Sequence, residues 1–180
     1  AWETHQSVML QMPTGTGKTF LFSSIVKDLI AYSSQMFKIT NKKKYKTLIL
    51  AHRVELIAQI SDSIGERFGV RHGKIISGTN VDLSQTTQVA SVQTLSRRLS
   101  RYKELDFDFI IIDEAHHALA DSYVKIIERF PGAYVLGVTA TPYRMSGDGF
   151  QHVFDTIVLS DSIQTFINNK YLAEYKYYSI

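Results

Sequence analysis

The chain has 180 residues, 44% of them apolar, a formal net charge of +3 and no cysteine. That length builds about one domain with a sizeable core, while the missing cysteines exclude disulfides and thiolate zinc sites. No apolar run approaches the roughly 20 residues that cross a bilayer, and so small a charge does not by itself mark a polyanion binder, so a soluble cytoplasmic protein with no membrane partner is expected.

Val8-Met9-Leu10-Gln11 is a short apolar run suited to a buried strand. It leads into Met12-Pro13-Thr14-Gly15-Thr16-Gly17-Lys18-Thr19, a phosphate-cradling loop. Thr14, Gly15, Thr16 and Gly17 turn the backbone so that its N–H groups face phosphate oxygens. Lys18 neutralises the β and γ charges, and Thr19 offers a hydroxyl to Mg²⁺. Met12 stands where the general pattern has glycine, a site that many nucleic-acid motors relax. Phe22, Ile25, Val26, Leu29 and Ile30 then repeat at helical spacing, so the loop lies between strand and helix, where a helix amino end favours an anion.

The basic run Lys42-Lys43-Lys44-Tyr45-Lys46 reads as a solvated loop. Further on, Leu48 to Ala51, Val89 to Val92, Phe109 to Ile112 and Tyr134 to Val138 resemble fully buried strands, with shorter ones at Lys74 to Ile76 and Thr156 to Leu159. Between them Leu56, Ile57, Ile60, Ile64 and Phe68, and later Tyr123, Ile126, Ile127 and Phe130, follow helical spacing. Alternation of this kind predicts a mainly parallel sheet between two helical layers, with ligands at the carboxyl ends of the strands.

Asp113 and Glu114 follow the run Phe109 to Ile112 and place two adjacent carboxylates at a strand end. Neighbours in a strand point opposite ways, so Asp113 is expected to face the metal and Glu114 the attacking water. Read alone, the pair is better taken as an acidic helix start that caps a strand-to-helix turn. Lys18 and Thr19 favour the catalytic reading.

These segments occur in a telling order: Gly15 to Thr19, Ala51-His52-Arg53 through Glu55-Leu56 to Gln59, Ala90 to Leu95, Asp113-Glu114-Ala115-His116, and Val138-Thr139-Ala140-Thr141-Pro142. Over nearly its whole length the chain resembles the first RecA-like domain of superfamily 2 helicases, in the branch with DEAH-type DNA repair helicases and the motor subunits of type I and type III restriction enzymes. The resemblance implies a P-loop NTPase fold and a helicase or translocase that hydrolyses ATP with Mg²⁺ on nucleic acid, DNA in preference to RNA. It implies that Glu114 and Lys18 are catalytic and that Thr19 and Asp113 hold the metal. His116, Thr139 and Thr141 would couple hydrolysis to movement, while Arg53, Gln59, Gln93 and Thr94 would run along the nucleic-acid backbone.

The family carries an adenine-reading glutamine well upstream of the loop; that segment is expected to be missing here, since Gln6 lies too near the loop to serve. Residues 1–172 are expected to form the ATP-binding domain and residues 173–180 to begin a connection to a second RecA-like domain, whose arginines complete the site in the family. A restriction-enzyme motor is the alternative within the class. A P-loop kinase or GTPase lacks its acceptor pocket or guanine-reading segment, and a non-catalytic module is disfavoured by intact Lys18, Thr19, Asp113 and Glu114.

Overall fold

A computed structural model of the chain describes residues 3–41, 43–141 and 149–174. Among them, β1 (Ser7–Gln11), β2 (Thr47–Ala51), β3 (Gly73–Ile75), β4 (Thr87–Ser91), β5 (Phe109–Asp113), β6 (Tyr134–Thr139) and β7 (Thr156–Leu159) form one sheet in the order β3-β4-β2-β5-β6-β1-β7. Every pairing is parallel, from Lys74 opposite Val89 at one side to Leu10 opposite Val158 at the other.

The central strands are apolar on both sides because helices cover both faces. Ile49, Ala51, Val89 and Ile111 face Phe22 and Val26 of α1 (Lys18–Thr40) and Ile57 and Ile60 of α2 (Val54–Asp62). Their neighbours Leu48, Leu50, Ala90, Ile110 and Ile112 face Leu95 of α3 (Val92–Arg98) and Tyr123 and Ile126 of α4 (Asp121–Arg129). Each fully buried Leu, Ile or Phe contributes on the order of 1.5–3 kcal/mol. The chain is thus the three-layer α/β sandwich expected of a RecA-like domain.

Gly137 in β6 shows how tightly one strand end is packed. A Cβ there would lie 2.4 Å from Phe154 Cζ and 2.7 Å from Ala115 Cβ, so only glycine lets the turn after β5 close onto β6.

Three elements depart from expectation. Thr156–Leu159 is not a buried strand: as the edge it pairs only with β1, and Leu159 is 69% exposed. Val92 opens α3 instead of ending β4, because the Ser91 hydroxyl accepts the Thr94 N–H at 3.4 Å and caps the helix. The helical stretch up to Phe68 is α-helical only to Asp62; Ser63–Arg67 widens into a π-helical turn whose Ser63 hydroxyl lies 3.1 Å from Ser23 of α1. The basic run is solvent-exposed at Lys43 and Lys44, as expected, with Lys43 paired to Asp106 and Lys44 over the Phe37 ring at the surface.

At the opposite end of the sheet from the phosphate loop, Gln6 donates to the carbonyls of Pro131 at 2.8 Å and Ala133 at 3.1 Å. A short α5 (Ile163–Asn168) follows β7. The expected connection from residue 173 lies outside the described residues from 175 onward.

Candidate functional site

β5, β6 and β1 are neighbours, and their carboxyl ends carry the phosphate loop, Asp113 and Thr139. The Met12 N–H donates to the Thr139 carbonyl at 2.9 Å, fastening the start of the loop to β6. Left-handed backbone occurs in the loop at Gly15 (φ 82°) and Gly17 (φ 88°) but not at Met12, which explains why methionine is tolerated there. The Thr16 hydroxyl donates to the Pro13 carbonyl at 2.7 Å and holds the loop closed. Lys18 reaches back across it, with Nζ 3.4 Å from the Met12 carbonyl and 3.3 Å from that of Pro13. Gly17 caps α1 without a side-chain acceptor, so the first N–H groups of α1 stay available to an anion.

Asp113 ends β5 and is only 5% exposed. Burial, reinforced by the neighbouring Glu114 charge, pushes its carboxyl up to about 6, against the smaller opposing pull of a backbone hydrogen bond and Lys18. Glu114 has left the strand: φ 53° and ψ 52° place it in a left-handed turn. The aim of Glu114 is therefore set by this turn and not by the strand alternation expected from the sequence.

A short helical turn over Ala115–His117 brings His116 back to the same place. Its Nδ1 lies 3.2 Å from Glu114 Oε2 and 3.1 Å from the Thr139 hydroxyl. The Thr141 N–H donates to that hydroxyl at 3.2 Å, and the hydroxyl reaches the Thr141 carbonyl at 3.3 Å. Glu114, His116, Thr139 and Thr141 thus form one continuous polar network.

An open cleft of about 660 Å³ joins the loop to Asp113 and Glu114. Its far wall is α2 and the π-helical turn, through Gln59, Ser63 and Arg67. Gln59 therefore stands beside the phosphate loop, whereas Arg53 is exposed at the start of α2. Gln93 and Thr94 open α3, where the Gln93 side-chain oxygen accepts the Ser91 hydroxyl at 3.0 Å. Sequence reasoning missed the wall residues Ser63 and Arg67, because a π-helical turn has no periodic signature.

The residues fit a bound Mg²⁺. Asp113 is a buried carboxylate whose charge is under-compensated, and Thr19 lines the same cleft. Among the described residues no three His, Cys, Asp or Glu side chains converge on one ion.

Residues 2–144 match the family described as the type III restriction enzyme, res subunit. The chain belongs to that family. This res-family domain is the N-terminal RecA-like domain of a superfamily 2 helicase. It is 35% identical over 179 residues to a Saccharomyces cerevisiae protein named as an ATP-dependent helicase, IRC3, covering 95% of this chain and 25% of that protein. It is 29% identical over 180 residues to the DNA 3'-5' translocase XPB2 of Sulfurisphaera tokodaii, covering 98% of this chain and 36% of that protein. The fold matches the Hef helicase domain of Pyrococcus furiosus with a TM-score of 0.67 at 22% identity, over 86% of this chain and 35% of the other. The domain spans about a quarter to a third of the length of these curated relatives. No described helix is long and apolar enough to cross a membrane.

Proposed function

We propose that this domain binds Mg-ATP at the β5, β6 and β1 ends and hydrolyses it to ADP and phosphate as half of a DNA-dependent motor. The observation that carries this reading is the convergence on one cleft of Lys18, Thr19, Asp113 and Glu114, the last of them in contact with the His116–Thr139 pair. Loop N–H groups and Lys18 hold the triphosphate, Lys18 exchanging its present loop carbonyls for phosphate oxygens. Thr19 and Asp113 would hold the metal, which when bound neutralises charge on the phosphates. Glu114 accepts the proton of the attacking water, and its contact with His116 carries a change at that carboxylate to Thr139 and Thr141.

Arg53, Gln93 and Thr94 meet the nucleic-acid backbone at the ends of β2 and β4, while Gln59 faces the nucleotide cleft. DNA is favoured over RNA by the restriction-enzyme family and by the named DNA translocase among the relatives. A second RecA-like domain of the same protein closes the cleft and contributes arginine to the γ-phosphate. Because an arginine of that kind is worth about 10³–10⁵ in turnover, residues 1–180 alone are expected to turn over very slowly. The family match also supports a narrower reading, the motor of a restriction enzyme. The test is steady-state ATP turnover of the intact protein with no nucleic acid, with single-stranded DNA, with duplex DNA and with RNA. DNA-stimulated turnover in the intact protein, and little in the isolated domain, is expected; rapid stimulated turnover by the isolated domain contradicts the half-motor reading.

A further inference from the structure

His52 sits between the last residue of β2 and Arg53 at the start of α2, and none of the roles above uses it. Its ring meets the His117 ring edge-on, with centroids 4.6 Å apart and planes at 62°. The His117 ring in turn lies 4.1 Å from that of His116. Since His116 touches both Glu114 and Thr139, an unbroken line of contacts runs from the residue next to Arg53 to the hydrolytic carboxylate.

Ordinary packing does not account for His52. Its Nδ1 is buried and has no hydrogen-bond partner among the described residues. An orphaned polar atom of this kind costs on the order of 1–3 kcal/mol, a cost that an aliphatic side chain at the same place would avoid. Burial first, and then the Arg53 charge, holds the imidazole below its usual pKa, against the pull of Glu114. The His52 ring is thus fixed by contact with His117 and by its own backbone, which it shares with Arg53.

We propose that His52 is a positioning residue that reports engagement of the Arg53 segment to Glu114 through the His117 and His116 rings. This rests on the reading that Arg53 meets nucleic acid and Glu114 activates water. Close-packed side chains transmit a displacement instead of absorbing it. A phosphate drawn to Arg53 fixes the start of α2, the His52 ring presses on His117, and the His116 contact to Glu114 tightens. The contacts of the line are already in place, and what engagement of Arg53 adds is a fixed start of α2 behind them.

The test compares wild type, His52→Ala, His52→Phe and His117→Ala in the intact protein. Each is assayed for ATP turnover with and without a single-stranded DNA oligonucleotide, and for its affinity for that oligonucleotide. His52→Ala is expected to keep unstimulated turnover and DNA affinity but to lose about tenfold of the stimulation, within the usual range of coupling between sites. His52→Phe, which keeps a ring against His117, is expected to restore most of it. The double variant His52→Ala/His117→Ala should lose no more than either single variant, because both cut one line. Full stimulation in His52→Ala, additive losses in the double variant, or a loss explained entirely by weaker DNA binding would overturn the inference. A wild-type protein that DNA does not stimulate refutes the underlying reading instead, and this inference with it.

Discussion

The two working ends of the sheet are built in opposite ways. At the β5, β6 and β1 ends the side chains are tied down: Thr139 is fully buried, Asp113 nearly so, and His116 is held between two partners. At the β2 and β4 ends Arg53 and Gln93 are exposed, and among the described residues only Gln93 of the two has a side-chain hydrogen bond to a neighbour. Chemistry on a phosphorus centre needs groups placed before the substrate arrives. A polymer backbone is held by charge and counterion release, which tolerate mobile side chains.

The sharpest way to break this contrast is to loosen the rigid end alone. Gly137→Ala forces a methyl into Phe154 and Ala115 and should cost about 2–4 kcal/mol, by analogy with other overpacked or strained core sites. Chemical denaturation reads the loss, and ATP turnover should fall in the protein that remains folded. An unchanged midpoint would mean that the β5 turn is not locked onto β6.

Asp113→Asn probes the charge stored at the same end. The folded carboxyl titrates near 6, above its unfolded value, so the folded state binds the proton more tightly. Stability from this group rises as pH falls from about 6 towards 4, and the ionised form is a cost above 6. Asp113→Asn should therefore raise stability at pH 8, by up to about 3 kcal/mol for a two-unit shift, and by less at pH 5, read as a higher thermal midpoint. Millimolar Mg²⁺ should narrow the gap by stabilising wild type alone, and Mg-dependent turnover should be lost. A variant less stable than wild type at pH 8 would show that the carboxylate is compensated.

The smallest effect belongs to the exposed end. Arg53→Ala should weaken DNA binding by about 1 kcal/mol and reduce the salt slope by about one, leaving the thermal midpoint and ATP affinity alone. Titrations at several salt concentrations read both, and an unchanged slope would remove Arg53 from the interface.

Most of the fold was legible because buried parallel strands and amphipathic helices leave periodic signals, as in Ile110 to Ile112 and in Ile57, Ile60 and Ile64. β7 misled because an edge strand can carry the same apolar run as a central one. The phosphate loop and the carboxylate pair were readable from residue type and spacing. How Glu114 is aimed was not, since its left-handed turn is enforced by the packing of Ala115 against Gly137, residues far apart in the chain. The same holds for the wall formed by Gln59 and Arg67, and for the His52–His117 contact, which joins two strand ends through a neighbour relation visible only in the sheet.

The central claim is that Glu114 activates water in a preformed cleft. The most direct measurement is Glu114→Gln in the intact protein, with ATP affinity and single-turnover hydrolysis recorded side by side in the presence of DNA. The account predicts ATP binding close to wild type and hydrolysis reduced by about 10²–10⁴, the usual worth of a positioned general base. Hydrolysis at the wild-type rate, with ATP still bound, would contradict it.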